Sequence, residues 1–218
     1  MKKAPAPIPF AGSKLESIRH VCAFFNSRDE EYRVLLPFIK DGLACGDKAI
    51  HIVDPARHHS HLEHLAAAGI DAAAAQGKAQ MEIRTTTETY LKNGQFDQDS
   101  MLAAFEHIAS GSGAGLYPLS RIICQMEWAS EHPECIDDLV AFESRVNDVW
   151  QQHDDAVICV YDLAKFSADT VIDIMRTHPM VIIGGILQQN PFFVPPGEFL
   201  EELRRRRQDR ISPLGAAG

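Results

Sequence analysis

No run in the 218-residue chain approaches the roughly 20 apolar residues that a membrane-crossing helix needs, so no span is expected. The first nine residues lack the apolar core of a secretory leader. No pair among Cys22, Cys45, Cys124, Cys135 and Cys159 has the C-x-x-C spacing of a zinc or redox site. Neither the G-x-S-x-G elbow of a serine hydrolase nor the H-E-x-x-H pair of a metalloprotease occurs. Positive charge is scarce as well: 21 Lys and Arg stand against 30 Asp and Glu, for a net charge of -9. That balance argues against neutralising nucleic-acid phosphates as the main role. These absences lead to the expectation of a cytoplasmic protein with no membrane and no direct nucleic-acid contact.

What is present is enough apolar sequence, 45 % of the residues, for a large core. Residues 1–17, with Pro5, Pro7, Pro9 and Gly12, read as a flexible leader. The β-rich run from Ile18 to Phe25 is followed by Ser27 and, three residues later, Glu30, a capping-box spacing that starts a helix. Gly46 suits its left-handed end. Further strands are expected at Ala49 to Val53, Met81 to Arg84, Leu119 to Met126, Ala156 to Tyr161 and Met180 to Ile183, with helices between them. Near-continuous apolar strands alternating with amphipathic helices imply an α/β fold with a mostly parallel sheet covered on both faces. Ligands in such sheets sit beyond the carboxyl ends of the strands. Cys22, Cys124 and Cys159 lie in apolar runs and read as buried, reduced thiols. Residues 195–218 read as a terminal helix and tail, with acids early and the four arginines from Arg204 to Arg207 late. A solvated helix and a docking segment are both open for it.

The junction after the first strand carries a further absence. A phosphate-loop NTPase has a glycine-rich turn there, ending in Gly-Lys-Ser/Thr. This chain has Asn26-Ser27-Arg28-Asp29-Glu30-Glu31, without glycine or lysine and with three carboxylates. Gly12-Ser13-Lys14 has the wrong order, and the loop from Gly111 to Gly115 lacks a following Lys-Ser/Thr, so it reads as a linker.

The block His20-Val21-Cys22-Ala23-Phe24-Phe25, then Glu30-Glu31, Leu36-Pro37-Phe38-Ile39-Lys40-Asp41-Gly42-Leu43 and Gly46-Asp47-Lys48, resembles the opening of the MEDS domain. Met126-Glu127-Trp128, Phe142-Glu143, Cys159-Val160-Tyr161-Asp162 and Thr177-His178-Pro179 follow in matching order. The resemblance spans roughly residues 18–190, within a sensory domain placed at 18–194. It implies a three-layer RecA/KaiC-like fold without the phosphate loop, in a bacterial-type signalling protein that senses a small organic molecule. It implies no cofactor and a signalling protein as partner, and it allows a homo-oligomer. Two rivals stand beside the sensor: a residual nucleotide-using or hydrolytic enzyme, and a ligand-free scaffold for a kinase or anti-sigma partner.

Candidate ligand-binding residues follow from position. His20, Cys22 and Phe24 alternate with apolar neighbours and share one strand face. Glu143 falls on the apolar stripe formed by Ile136, Leu139, Val140, Val146 and Trp150, so it needs a partner, with Arg121 as the candidate. Glu127 and Trp128 follow a strand, Tyr161 and Asp162 end one, and His178 precedes one. Glu30 and Glu31 would stand near the mouth. No catalytic or metal-ligating residue is expected. His58, His61 and His64 step by three along a helix and read as surface decoration.

Overall fold

A computed structural model describes residues 6–112 and 116–211 of the chain. The centre is a seven-stranded sheet. Its strands are β3 (His20–Phe25), β4 (Lys48–Val53), β5 (Met81–Thr85), β6 (Ser120–Gln125), β7 (Ala156–Asp162), β8 (Met180–Ile183) and β9 (Ile186–Gln189). They run in the order β5-β4-β6-β7-β3-β8-β9, parallel except for the β8–β9 edge hairpin. Register aligns Cys22 with Cys159 and Phe24 with Tyr161.

Alternation along the strands sorts two apolar clusters onto opposite faces. Cys22, Phe24, Ile122, Cys124, Cys159 and Tyr161 belong to one cluster, whose helices are α5 (Gln98–Ser112), α6 (Ile136–Trp150), α7 (Ala168–Thr177) and α8 (Pro196–Ile211). Val21, Ala23, Phe25, Ile123, Ile158 and Val160 belong to the other, under α1 (Arg28–Cys45), α2 (His58–Ala67) and α3 (Ala72–Gly77). A short α4 (Thr86–Thr89) follows β5. The expected three-layer α/β architecture is therefore present.

The start of α1 follows its sequence signal with one change. Ser27 Oγ accepts from the Glu30 amide, but the Glu30 carboxylate reaches back to the Asn26 amide (2.9 Å) rather than to that of Ser27. Gly46 ends the helix at φ 83°.

Three expectations need correction. Within the leader, β1 (Ile8–Phe10) and β2 (Ser13–Leu15) form a hairpin, and Ile8, Phe10 and Leu15 are buried against α1. Residues 1–5 lie outside the described residues. The terminal helix is not merely solvated. Phe199 and Leu203 of α8 enter the core, while Arg176–Glu202, Arg206–Asp173, Arg207–Asp138 and Arg210–Asp137 pair it to α7 and α6. Residues 212–218 and 113–115 lie outside the described residues.

The histidines of α2 are the third correction. His61 is buried, 2.9 Å from the Tyr32 hydroxyl and 2.9 Å from His51 of β4. His64 stacks on Tyr32. Only His59 is fully at the surface. Burial pushes the His51 pKa down to about 4, and burial with the His51 charge pushes that of His61 to about 2.

Two predictions follow from this packing. Phe199→Ala should lower unfolding stability by about 3–5 kcal/mol in urea titration, because it empties a filled core position. Arg204→Ala, at an exposed pair with Glu201, should change it by less than about 1 kcal/mol. The second concerns pH. The fold disfavours protonated His51 and His61, so the unfolded chain takes up protons first as pH falls below about 6.5. Their contribution is complete above that value and declines toward pH 4 by about 1.4 kcal/mol per pH unit for each histidine. A His51→Asn/His61→Gln double variant should show a flatter urea midpoint between pH 7 and pH 5.

Candidate functional site

Two polar clusters lie on the sheet. One fills the carboxyl edge, where β3, β4, β6 and β7 end side by side. Arg28, at the start of α1, grips Glu127 with both guanidinium nitrogens and also reaches Glu31 (2.8 Å) and Asp162 (3.2 Å). Arg57, after β4, reaches Glu127 (2.8 Å) and Glu31 (3.0 Å). Lys165 closes on Glu127 at 3.2 Å, and Gln125 donates to Glu31. Three cations meet three carboxylates, and Glu31 and Glu127 are 1 % exposed. Burial raises the Glu127 pKa, but the bonds and charge of Arg28 and Arg57 outweigh it and hold the carboxyl below its usual range.

This changes the reading of the missing phosphate loop. Glu31 is turned inward and ion-paired, while Asp29 stays exposed at the helix start. Acidic side chains already occupy the cations that an anion would meet.

The second cluster lies under the α6 face of the sheet. Glu143 Oε1 accepts from the Tyr161 hydroxyl at 2.8 Å. Oε2 faces His20 Nε2 (3.2 Å), His178 Nε2 (3.4 Å) and Cys159 Sγ (3.6 Å). His20, Glu143, Cys159, Tyr161 and His178 are each at most 3 % exposed. The Asn147 amide donates to the Thr177 and Ser144 carbonyls, which leaves its oxygen facing His20 Nδ1 at 2.9 Å. Burial, with His178 nearby, pushes the His20 pKa down despite Glu143. For Glu143 burial acts upward, but His178 and His20 outweigh it and hold the carboxyl below its usual range. Burial and the Glu143 charge push the Tyr161 phenol up, so it stays a donor.

The twelve candidate residues thus do not form one pocket. His20, Glu143, Tyr161 and His178 come together. Glu31, Glu127 and Asp162 belong to the ionic cluster at the carboxyl edge. Cys22 donates to the Met180 carbonyl, Phe24 packs on Tyr161, and Trp128 stacks on Tyr90 within the aromatic core. Glu30 locks the helix start. Arg121 is not the partner of Glu143. Its side chain leaves the opposite face of the sheet and binds Asp47 (2.8 Å), Asp41 (2.9 Å) and the Phe38 carbonyl. Gly42 makes room for it, since a Cβ there would lie 2.6 Å from Arg121 Cδ.

Sequence reasoning missed Cys159 and Asn147 in one cluster and Arg28, Arg57 and Lys165 in the other. Two signals were available: Cys159 is two residues from Tyr161 on one strand, and Asn147 is one helical turn beyond Glu143.

A cleft of about 240 Å³ opens at the amino ends of β3 and β8, lined by Ile18, His20, Asn147, Trp150, Pro179 and Phe193. His20 and Asn147, both buried, form part of its wall.

Residues 19–179, which contain every residue of the His20–Glu143 cluster, match the family described as MEDS, the MEthanogen/methylotroph, DcmR Sensory domain. The chain belongs to the MEDS family. No curated protein matches it in sequence. Among solved structures it is similar to the flagellar accessory protein FlaH from Methanocaldococcus jannaschii, at 10 % identity and a TM-score of 0.49, over 78 % of this chain and 76 % of that one. As a MEDS domain it is a sensory module.

Removing one side of the ionic cluster tests its balance. Glu127→Ala should destabilise the domain by about 3–5 kcal/mol, because it strands Arg28 and Arg57 without their shared carboxylate. Lys165→Ala, at the exposed rim, should cost less than about 1 kcal/mol in the same denaturation assay.

Proposed function

We propose that this MEDS domain is a non-enzymatic signalling sensor. Its input is a small, mostly apolar organic molecule bound in the cleft beside His20, and its output is a contact with a partner signalling protein. The observation that carries this reading is the cleft itself. An engineered apolar cavity of about 150 Å³ holds benzene, so 240 Å³ suits a ring or short chain with one polar group. Trp150, which lines it, has a buried indole N–H without an acceptor among the described residues. This moves the proposed ligand site from the carboxyl ends of the strands to the amino ends. The ionic cluster supports the sensor against a residual nucleotide-using enzyme, since Arg28, Arg57 and Lys165 are already neutralised.

The relay would run through α6. That helix carries Asn147 at the cleft and Asp137 and Asp138 at the arginines of α8. A ligand that favours one position of α6 would bias the α8 surface, as differential binding requires.

Thermal unfolding with cyclohexanone and cyclohexanol tests the reading. A saturable rise of about 5–10 °C is expected when the probe exceeds its Kd about a hundredfold. Ile18→Trp, which fills the cleft, should abolish it. Equal responses of the two proteins, or a saturable rise with Mg-ATP alone, would sink the proposal.

A further inference from the structure

The hydrogen bonds around the buried cluster fix where its protons are. His178 Nδ1 lies 2.9 Å from the Ile174 carbonyl, which can only accept, so Nδ1 carries the hydrogen. Asn147 spends its amide hydrogens on the Thr177 and Ser144 carbonyls, so its oxygen accepts from His20 Nδ1. In its neutral form each imidazole therefore turns an Nε2 lone pair inward. Glu143 Oε2 is at the point where they converge, and its other oxygen is bound to Tyr161. Without a second proton on an imidazole, the Cys159 thiol alone places a hydrogen among these acceptors. His178 Nε2 is fully buried and has no hydrogen-bond partner among the described residues. Converging lone pairs around a carboxylate repel unless a cation lies between them.

The spacing is that of a coordination shell. Bonds of about 2.0–2.3 Å from zinc to nitrogen, oxygen and sulfur give a tetrahedron with edges of about 3.4 Å. Four of the six edges are 3.2, 3.4, 3.6 and 3.8 Å, and the four ligand atoms all lie within 4.8 Å of one another. Each imidazole has its second nitrogen anchored by an oxygen and the carboxylate is anchored by a phenol, as in the outer shells of metal sites.

We propose that His20 Nε2, His178 Nε2, Cys159 Sγ and Glu143 Oε2 form a buried four-coordinate site for a divalent first-row transition ion, with zinc the best match. Binding would displace the Cys159 proton to solvent and leave the thiolate on the metal. Four protein donors leave no open position for water, which suits an ion that braces or senses rather than one that hydrolyses. The site would join β3, β7, α6 and the start of β8. It goes beyond the ligand reading above and does not depend on it.

Metal analysis of the intact chain, purified without chelator, should give one zinc per chain. Cobalt replacement should show tetrahedral visible bands and a thiolate-to-cobalt charge-transfer band. Cys159→Ser should lose the charge-transfer band, and His178→Ala should bind at least about tenfold more weakly. Cys45→Ser, at an exposed thiol, should change neither. Where a variant does not fold, the cobalt spectrum of the unmodified chain decides. Failure of that chain to take up zinc, cobalt or iron(II) at one ion per chain would overturn the proposal, because protons alone would then fill the cluster. A cobalt spectrum without the thiolate band would overturn it too. The cyclohexanone shift measured on metal-free and metal-loaded protein keeps failure of the ligand reading separate from failure of this one.

Discussion

The domain is organised around a carboxylate in the wrong place. Glu143 sits on the apolar stripe of α6 and is pressed against the sheet, 1 % exposed. Taking a carboxylate out of water costs several kcal/mol unless partners replace the solvent. Tyr161, His20, His178 and Cys159 come from β7, β3 and the α7–β8 junction to do so. Those elements are brought together by one parallel register, with Cys22 opposite Cys159 and Phe24 opposite Tyr161. Shifting that register by one residue would turn Cys159 and Tyr161 to the far face and leave Glu143 bare. The polar cluster thus specifies a pairing that apolar strands alone would leave loosely defined.

The carboxyl edge meets a different demand. Four strand ends open there, and helix starts point partial positive charge at them. In this chain Glu31 and Glu127 fill the place where an anionic ligand would bind, and Arg28 and Arg57 tie them across four connections. A charge-balanced knot of this kind covers the ends of β3, β6 and β7, while a separate cleft lies at the amino ends of β3 and β8.

Much of this was legible in the sequence and some of it could not be. Strand and helix positions followed from periodicity, because β3, β4, β6 and β7 are buried on both faces and read as continuous apolar runs. Glu143 was legible because a charge on a stripe breaks a pattern. Its partners were not, since His20 lies 123 residues away and nothing local encodes which strand lies beside β3. Arg121 looked suitable by charge alone. Side-chain alternation puts it on the α1 face, opposite Glu143, and only knowledge of strand direction reveals that. The β1–β2 hairpin was hidden because its strands are three residues long and β1 carries Pro9, and their stability comes from α1 rather than from local propensity. His61 was misplaced because a three-residue step was taken to mean surface, whereas one buried face of α2 is enough to take it to His51.

Helix α6 is where these constraints meet. Its inner face holds Glu143 and Asn147, Phe142 packs among Phe96, Phe105 and Tyr90, and its first turn carries the aspartates that hold α8. Close-packed interiors do not deform continuously, so a helix gripped on all sides moves as a unit or not at all. A change in the distances that Glu143 requires therefore cannot be absorbed locally. It must either be refused or be passed on to the α8 interface. That interface combines the core contacts of Phe199 and Leu203 with half-exposed ion pairs, each pair contributing about 0–1 kcal/mol. In the proposed relay, a displacement of the inner face of α6 would reach the surface through these ion pairs, which yield before the packed core does.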